Sequence, residues 1–153
     1  MCGFAGVMSE NKIMLGSNLI TPMTDAISHR GPDDIGFWNN TSAGIALGHR
    51  RLSILDLSPA GHQPMHLASG RYIIVFNGEI YNHKEIRAKL VDQSWVGGSD
   101  TETLLVAIER WGVRKTIERC IGMFSFAIWD NLECELILGR DRFGEKPLYY
   151  GWQ

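Results

Sequence analysis

The sequence has few cysteines, no long hydrophobic run and no excess of basic residues. Its three cysteines (Cys2, Cys120, Cys134) are odd in number and widely spaced, which argues against a disulfide framework and favours a reducing cytoplasm. No run reaches the roughly 18 apolar residues of a membrane-spanning helix, and the N-terminus lacks the basic-then-apolar layout of a secretory signal. A net charge of -2 gives no basic stripe for nucleic acid or an anionic membrane surface.

What is present is typical of an ordinary globular protein. The chain has 153 residues, of which 44% are hydrophobic and 21% are charged, and this suits one domain over residues 1–153 with a sizeable core. There are no repeats, low-complexity tracts or linkers. The sequence ends on an aromatic segment without a tail, from which we expect that it is part of a longer protein.

Apolar runs and turn residues predict an α+β fold with antiparallel strands. Residues 57–65 are rich in turn residues and are predicted to form an ordered surface loop. Strands are expected at Gly3–Met8 (buried), within 44–57, before Asn77, at 123–130, at 135–141 and at 147–152.

Helix signals occur at three places. Thr21 and Pro22 resemble an N-cap and first helical residue, for a helix that ends near the Gly31-Pro32 break. Helical spacing also covers 83–90. The clearest helix lies within 97–112, where Ser99 and Glu102 have capping-box spacing and a glycine follows the last apolar residue.

Cys2 has two interpretations. It could be a small buried hydrophobe, a frequent fate of cysteine. Alternatively, Met1 is trimmed and Cys2 becomes the first residue, so that its own α-amino group, with a pKa of about 7.7–8.0, can act as the base for its thiol. Zinc binding by His62 and His66 is a weaker alternative, because Pro64 lies between them and no cysteine pair is nearby.

The Asn77-Gly78 pair is equally ambiguous. It matches a type I′ hairpin turn. It could instead supply an oxyanion hole, in which the Asn77 amide and the Gly78 N–H stabilise the tetrahedral oxyanion of acyl transfer.

Charged groups of both signs could hold a zwitterion. One of the adjacent Arg50 and Arg51 could bind a carboxylate through a bidentate fork, or both could be solvated at a strand end. Asp100 could assist Ser99 in capping the helix, or face a cleft and bind an ammonium group. With Cys2 and Asn77-Gly78, these groups would suit hydrolysis of an amino-acid side-chain amide.

Eight segments, in order along the whole chain, resemble the glutaminase domain of class II glutamine amidotransferases, above all the amino-terminal half of glutamine-hydrolysing asparagine synthetases. The segments are "MCGFAGV", "HRGPDD", "RRLSILDL", "QPM", "FNGEIYNH", "GSDTE", "GMFSFAIWD" and "GRDRFGEKPLYYG". The resemblance implies the N-terminal nucleophile hydrolase fold, a four-layer αββα sandwich with two antiparallel sheets. It also implies hydrolysis of L-glutamine to L-glutamate and ammonia.

The resemblance also assigns roles to individual residues. Cys2 matches the nucleophile, with its freed amine as the base, and Asn77 and Gly78 match the oxyanion hole. Arg51 matches the group that binds the substrate α-carboxylate. The remaining matches are the pocket lining at Leu52, Ser53, Ile54 and Leu55, and the groups around the α-amino end at Gly78, Glu79 and Asp100.

Members of this family continue into a carboxy-terminal synthetase domain, which this sequence does not contain. That domain binds ATP and magnesium and receives the ammonia, so no cofactor or metal is expected within residues 1–153. The expected partners are L-glutamine and the synthetase domain, with no nucleic acid and no membrane, and the expected location is cytoplasmic. The ammonia acceptor stays open between aspartate and another carboxylate, as do hydrolysis of another amide and a non-catalytic regulatory role.

Overall fold

Two antiparallel sheets organise the chain. The computed structural model describes residues 1–10 and 17–152. Within them the strands are β1 (Gly3–Met8), β2 (Asp34–Asn40), β3 (Ile45–Arg51), β4 (Met65–His66), β5 (Tyr72–Ile80), β6 (Gly122–Asp130) and β7 (Glu135–Arg140). The helices are α1 (Ser17–Ala26), α2 (His83–Ala88), α3 (Asp100–Trp111) and α4 (Val113–Ile117).

The first sheet has the order β1-β3-β2 and the second has the order β4-β5-β6-β7. Side chains alternate between the faces of each strand. On β3, Ile45 and Leu47 join a cluster with Ile73 and Val75 of β5, so the two sheets pack face to face. Gly48, which follows Leu47, faces α1, and a Cβ there would overlap Thr24 Oγ1.

The second sheet is covered on its other face by helices. Ile74 and Phe76 of β5 pack in a second cluster with Leu104, Leu105 and other residues of α3. The layers are therefore α1, first sheet, second sheet, and α2 with α3. This confirms the α+β class with two antiparallel sheets, consistent with the N-terminal nucleophile hydrolase sandwich.

The helix predicted within 97–112 is confirmed as α3. The Ser99 hydroxyl accepts the Glu102 N–H at 3.1 Å, and Gly112 ends the helix with φ of 81°. Only this half of the capping box forms. The Glu102 carboxylate instead accepts the N–H groups of Val96 and Gly97, at 2.7 and 3.0 Å.

The predicted start of the first helix is wrong. Helix α1 begins at Ser17, and Pro22 lies inside it. Proline removes one backbone donor there. Packing on β3 outweighs that loss, because Ile20 and Thr24 are both buried against Gly48.

The other differences concern one predicted strand and the exposure of two segments. Residues 147–152 form no strand, since no neighbouring strand pairs with them, and Tyr149 and Trp152 are more than nine-tenths exposed. Strand β1 is half-exposed rather than buried, because it is an edge strand. The 57–65 segment is a surface loop only at first, and Gln63 and Met65 in its second half are buried.

None of the helices in the described ranges is long and apolar enough to cross a membrane.

Candidate active site

Cys2 lies at the end of the first sheet. The register of β1 and β3 pairs Gly3 with Arg50, so the preceding Cys2 reaches the residues that follow β3. The Leu52 N–H donates to Cys2 Sγ at 3.3 Å, and Arg30 Nε donates to the Cys2 carbonyl at 3.3 Å. Cys2 is half-buried and unbonded to another cysteine, so its thiol is held in place and accessible from the pocket.

Asn77 and Gly78 lie inside β5, so the hairpin-turn interpretation is wrong. They pair with Ser125 and Phe124 of β6. A Cβ at Gly78 would lie 2.3 Å from the Met123 carbonyl oxygen. Glycine is required here by the close approach of β6, not by turn geometry.

Hydrogen bonds on either side show where the Gly78 N–H points. The Phe76 N–H donates to Gln63 Oε1 at 2.7 Å, and the Ile80 N–H donates to Asp100 Oδ2 at 2.9 Å. Both donors therefore leave the strand on the edge away from β6. Because alternate N–H groups of a strand point to the same edge, the Gly78 N–H lies between them and faces the pocket.

One pocket brings together nearly all the residues that the sequence singled out. Its lining includes Cys2, Arg51, Leu52, Ile54, Leu55, Asn77, Gly78, Glu79 and Asp100. Ser53 is the exception. Its N–H donates to Asp33 Oδ2 at 2.8 Å, and it lines an adjacent pocket instead.

Arg51 is buried and shared between the two pockets. Its guanidinium donates to the carbonyl of Ser58 at 3.0 Å and to the carbonyl of Asp56. Gly61 leaves room for it, since a Cβ there would overlap the guanidinium. These bonds fix the arginine and use only some of its five N–H donors, so N–H donors of a charged group are left for the pocket. Arg50 points away from it and pairs with Asp25.

Asp100 is the first residue of α3 and lines the pocket, 5% exposed. Burial raises the pKa of its carboxyl above the ordinary value, although the hydrogen bond from the Ile80 N–H opposes the rise. The pocket therefore has an acidic group in Asp100 and a basic one in Arg51.

Sequence reasoning missed the two residues that hold the Phe76 peptide. Gln63 accepts its N–H, and His49 Nε2 lies 3.0 Å from its carbonyl oxygen. Burial lowers the pKa of His49 to about 4, so the ring is neutral and Nε2 carries the donated proton. These contacts fix the backbone immediately before Asn77. A buried glutamine in a turn-rich loop leaves no pattern in one sequence that would identify it.

Lys146 and Asp141 were missed as well. Lys146 lines the pocket, and the Asp141 carboxylate accepts N–H groups from the loop that carries it. Both lie in the quoted segment "GRDRFGEKPLYYG", where their charges resemble those of any polar loop.

The histidines considered for zinc have other partners. His62 Nδ1 lies 2.7 Å from Asp34 Oδ2, and His66 Nδ1 lies 3.3 Å from the Leu67 carbonyl. Across residues 1–10 and 17–152, no group of three or more metal-ligating side chains is close enough to hold a metal ion.

Known proteins resemble this sequence along most of its length. A family model described as "Glutamine amidotransferase domain" matches residues 1–153. "Asparagine synthetase [glutamine-hydrolyzing] 2" of Bacillus subtilis is 41% identical over 98% of this chain and 20% of its own length. A putative synthetase of the same name from Methanocaldococcus jannaschii is 39% identical over 99% of this chain and 32% of its own.

A third relative carries a different name. "Amidase chry2" of Gibberella zeae is 43% identical over 82% of this chain and 19% of its own length. The chain therefore spans 19% to 32% of the length of these curated relatives. The full-length match, together with the two stacked sheets and the cysteine pocket at their edge, leads to one conclusion: the chain belongs to the glutamine amidotransferase domain family.

Proposed function

We propose that this domain hydrolyses the side-chain amide of L-glutamine, releasing L-glutamate and ammonia, with Cys2 as the nucleophile. The observation that carries the proposal is the single pocket shared by Cys2, the Asn77-Gly78 pair, Arg51 and Asp100. A nucleophile, an oxyanion hole and one group of each sign are what a free amino acid with a scissile amide needs.

The reaction begins after Met1 is removed, which frees the α-amino group of Cys2. The neutral amine takes the thiol proton, and the thiolate attacks the amide carbon of glutamine. The resulting oxyanion accepts hydrogen bonds from the Asn77 side-chain amide and the Gly78 N–H. Donors of this kind lower a barrier by about 2.7–4 kcal/mol each.

The tetrahedral intermediate then loses ammonia. The protonated α-amine gives its proton to the leaving nitrogen, the carbon–nitrogen bond breaks, and a γ-glutamyl thioester to Cys2 remains. The same amine accepts a proton from water, whose oxygen attacks the thioester. A second tetrahedral intermediate breaks the carbon–sulfur bond and releases glutamate and the thiol.

The charged groups of the pocket bind the two charged ends of the substrate. Arg51 binds the α-carboxylate with the donors that its carbonyl partners leave free. Asp100 and Glu79 bind the α-ammonium group, while Leu52, Ile54 and Leu55 cover the aliphatic stem. Ser53 lines the neighbouring pocket, so its part is limited to holding this segment through Asp33.

The ammonia serves a synthetase domain outside residues 1–153. Relatives several times longer than this chain are named glutamine-hydrolysing asparagine synthetases, which supports an ATP-dependent partner domain with aspartate as acceptor. ATP and magnesium belong to that domain. The three cysteines are all free, which supports a cytoplasmic location.

A second candidate is hydrolysis of a different amide. It is favoured by the relative named as an amidase, which is 43% identical to this chain. The two candidates differ in what Arg51 and Asp100 must contact, because a bulky N-acyl amide has no α-ammonium or α-carboxylate.

Glutamate release tests the proposal. We expect a chain that begins at Cys2 to hydrolyse glutamine in preference to asparagine and N-acyl amides, and Cys2→Ala to abolish the activity. Cys134→Ala is the matched control, because Cys134 is exposed and away from the pocket. Full activity of Cys2→Ala would overturn the mechanism, and preference for a bulky amide would overturn the substrate.

A further inference from the structure

Lys146 is a buried lysine in the pocket that holds Cys2. It is 4% exposed, whereas its neighbours Glu145 and Pro147 are exposed. Its Nζ lies 2.8 Å from the Sδ atom of Met1. The ammonium group is therefore at the N-terminus of the chain, against the residue that processing removes.

This contact leaves the charge poorly compensated. Lysine is almost never fully buried unless it is paired, and a thioether is a weak hydrogen-bond acceptor. Within residues 1–10 and 17–152, none of the ion pairs includes Lys146. The ammonium group thus lies in the pocket with no carboxylate at ion-pair distance among the described residues, and burying an unpaired charge is costly.

The loop that carries Lys146 is built to point it inward. One oxygen of the Asp141 carboxylate accepts the N–H groups of Phe143 and Glu145, at 3.1 and 2.9 Å. The other accepts the N–H of Lys146 at 3.0 Å. Gly144, with φ of 68°, supplies the left-handed turn that reverses the chain between them.

We propose that Lys146 is a positioning residue for the nucleophile: once Met1 is gone, its ammonium lies beside the freed Cys2 amine and favours the neutral amine and the thiolate. The proposal rests on the proposed role of Cys2 and extends it to a residue from the far end of the chain. Two like charges a few ångströms apart disfavour each other, and an adjacent cation stabilises an anionic sulfur.

Other charges around the pocket act on the same amine. The acidic ones favour its protonated form, and the basic ones, like Lys146, oppose it. These groups come from five successive parts of the fold: the turn after α1, β3, the loop that follows β3, β5 and α3. In that order they are Arg30, Arg51, Asp56, Glu79 and Asp100.

Alkylation of Cys2 measures this effect without substrate. A chain that begins at Cys2 is released from a removable N-terminal fusion and treated with iodoacetamide between about pH 5 and 9, and the modified peptide is quantified by mass spectrometry. We expect Lys146→Met to slow alkylation of Cys2 about tenfold at pH 7 and to approach the unsubstituted rate at high pH. Lys146→Arg should restore the rate.

Two controls isolate the charge. Lys115 is exposed on α4, so Lys115→Met removes the same charge elsewhere and should leave Cys2 unaffected. Alkylation of the exposed Cys134 in the same sample corrects for differences in reagent concentration between samples. Equal rates for Lys146→Met and the unsubstituted chain would overturn the proposal, as would a slowing that is the same at every pH and is not restored by arginine.

The result is separable from the proposed function. If Cys2→Ala retained glutamine hydrolysis while alkylation of Cys2 still depended on Lys146, the function would fail and the effect of Lys146 on Cys2 would stand.

Discussion

Gln63 Oε1 accepts the N–H of Phe76 at 2.7 Å, on the edge of β5 just beyond the residues that pair with β4. A side chain thus replaces a neighbouring strand at the residue before Asn77. His49 donates to the carbonyl of the same residue at 3.0 Å. The backbone that leads into the proposed oxyanion hole is therefore fixed from both sides.

We predict that Gln63→Leu lowers both stability and glutamine hydrolysis. The Phe76 N–H would be left buried without an acceptor, which costs about 1–3 kcal/mol of unfolding free energy. Urea denaturation measures the loss, and kcat should fall more than KM changes, because the oxyanion forms only in the transition state.

Thr101→Val is the matched control for this prediction. It removes the acceptor of Gln63 Nε2, at 3.4 Å, and leaves the Gln63–Phe76 contact in place, so stability should fall here too while kcat falls less than in Gln63→Leu. A loss of kcat in Thr101→Val as large as that in Gln63→Leu would show that the Phe76 contact is not the important one.

We predict that Gly78→Ala destabilises the second sheet. The new methyl group would lie 2.3 Å from the Met123 carbonyl oxygen and 2.6 Å from the Phe124 Cα, and backbone cannot move aside cheaply. We expect a loss of about 1–3 kcal/mol in unfolding free energy by denaturation. Gly151→Ala, where nothing lies within 4 Å, should change it by less than about 0.5 kcal/mol. Equal stability of the two variants would contradict the close approach of β6.

We predict that Asp141 supports stability only above acidic pH. Burial raises the pKa of Asp141, but hydrogen bonds to its carboxylate outweigh burial and bring the pKa below its ordinary value. The donors are the backbone N–H groups of Lys146, Glu145, Phe124 and Phe143. A lowered folded-state pKa gives stability that is present above the unfolded pKa of about 4 and lost as pH falls through the folded value.

Asp141→Asn tests this directly. The amide can accept with one oxygen only, so we expect a loss of about 2 kcal/mol or more at pH 7, shrinking as the pH falls below about 4. Glu133→Gln, an exposed neutralisation, is the control. A deficit in Asp141→Asn that does not shrink on acidification would refute the prediction.

We predict that Arg51 and Asp100 recognise different ends of glutamine. Arg51→Lys and Asp100→Asn should each raise KM about tenfold with a smaller effect on kcat, because these contacts exist before and during the reaction. The loss in Asp100→Asn should vanish for a substrate that lacks the α-amino group. The loss in Arg51→Lys should vanish for one that lacks the α-carboxylate. A penalty that persists with both truncated substrates would exclude direct contact.

Periodicity predicted most of the elements because the core depends on it. The apolar runs of β5 and β6 and the capped helix at Ser99 appear in the structure as expected. The errors have particular causes. The backbone chemistry of proline favours Pro22 as the first residue of a helix. Burial of Ile20 and Thr24 decides instead where α1 lies. The aromatic residues of 147–152 resemble a strand but have no strand to pair with.

The candidate site was predictable only where a residue type has special chemistry. Cys2 is predictable because cysteine is a nucleophile, and Asn77 and Gly78 because such a pair can form an oxyanion hole. The structure brings all three residues to one pocket. Gln63 and Lys146 are common residue types in polar loops. Their burial depends on packing between segments far apart in sequence, such as Lys146 against Met1, which no local pattern encodes.

The central claim is that Cys2 forms a γ-glutamyl thioester, and rapid acid quenching tests it most directly. A chain that begins at Cys2 is mixed with glutamine, quenched within the first turnovers, digested and analysed by mass spectrometry. We predict a γ-glutamyl adduct on the peptide that contains Cys2, absent in Cys2→Ala and lost once the glutamine has been consumed. Steady release of glutamate with no adduct on Cys2, and with Cys2→Ala still active, would contradict the account.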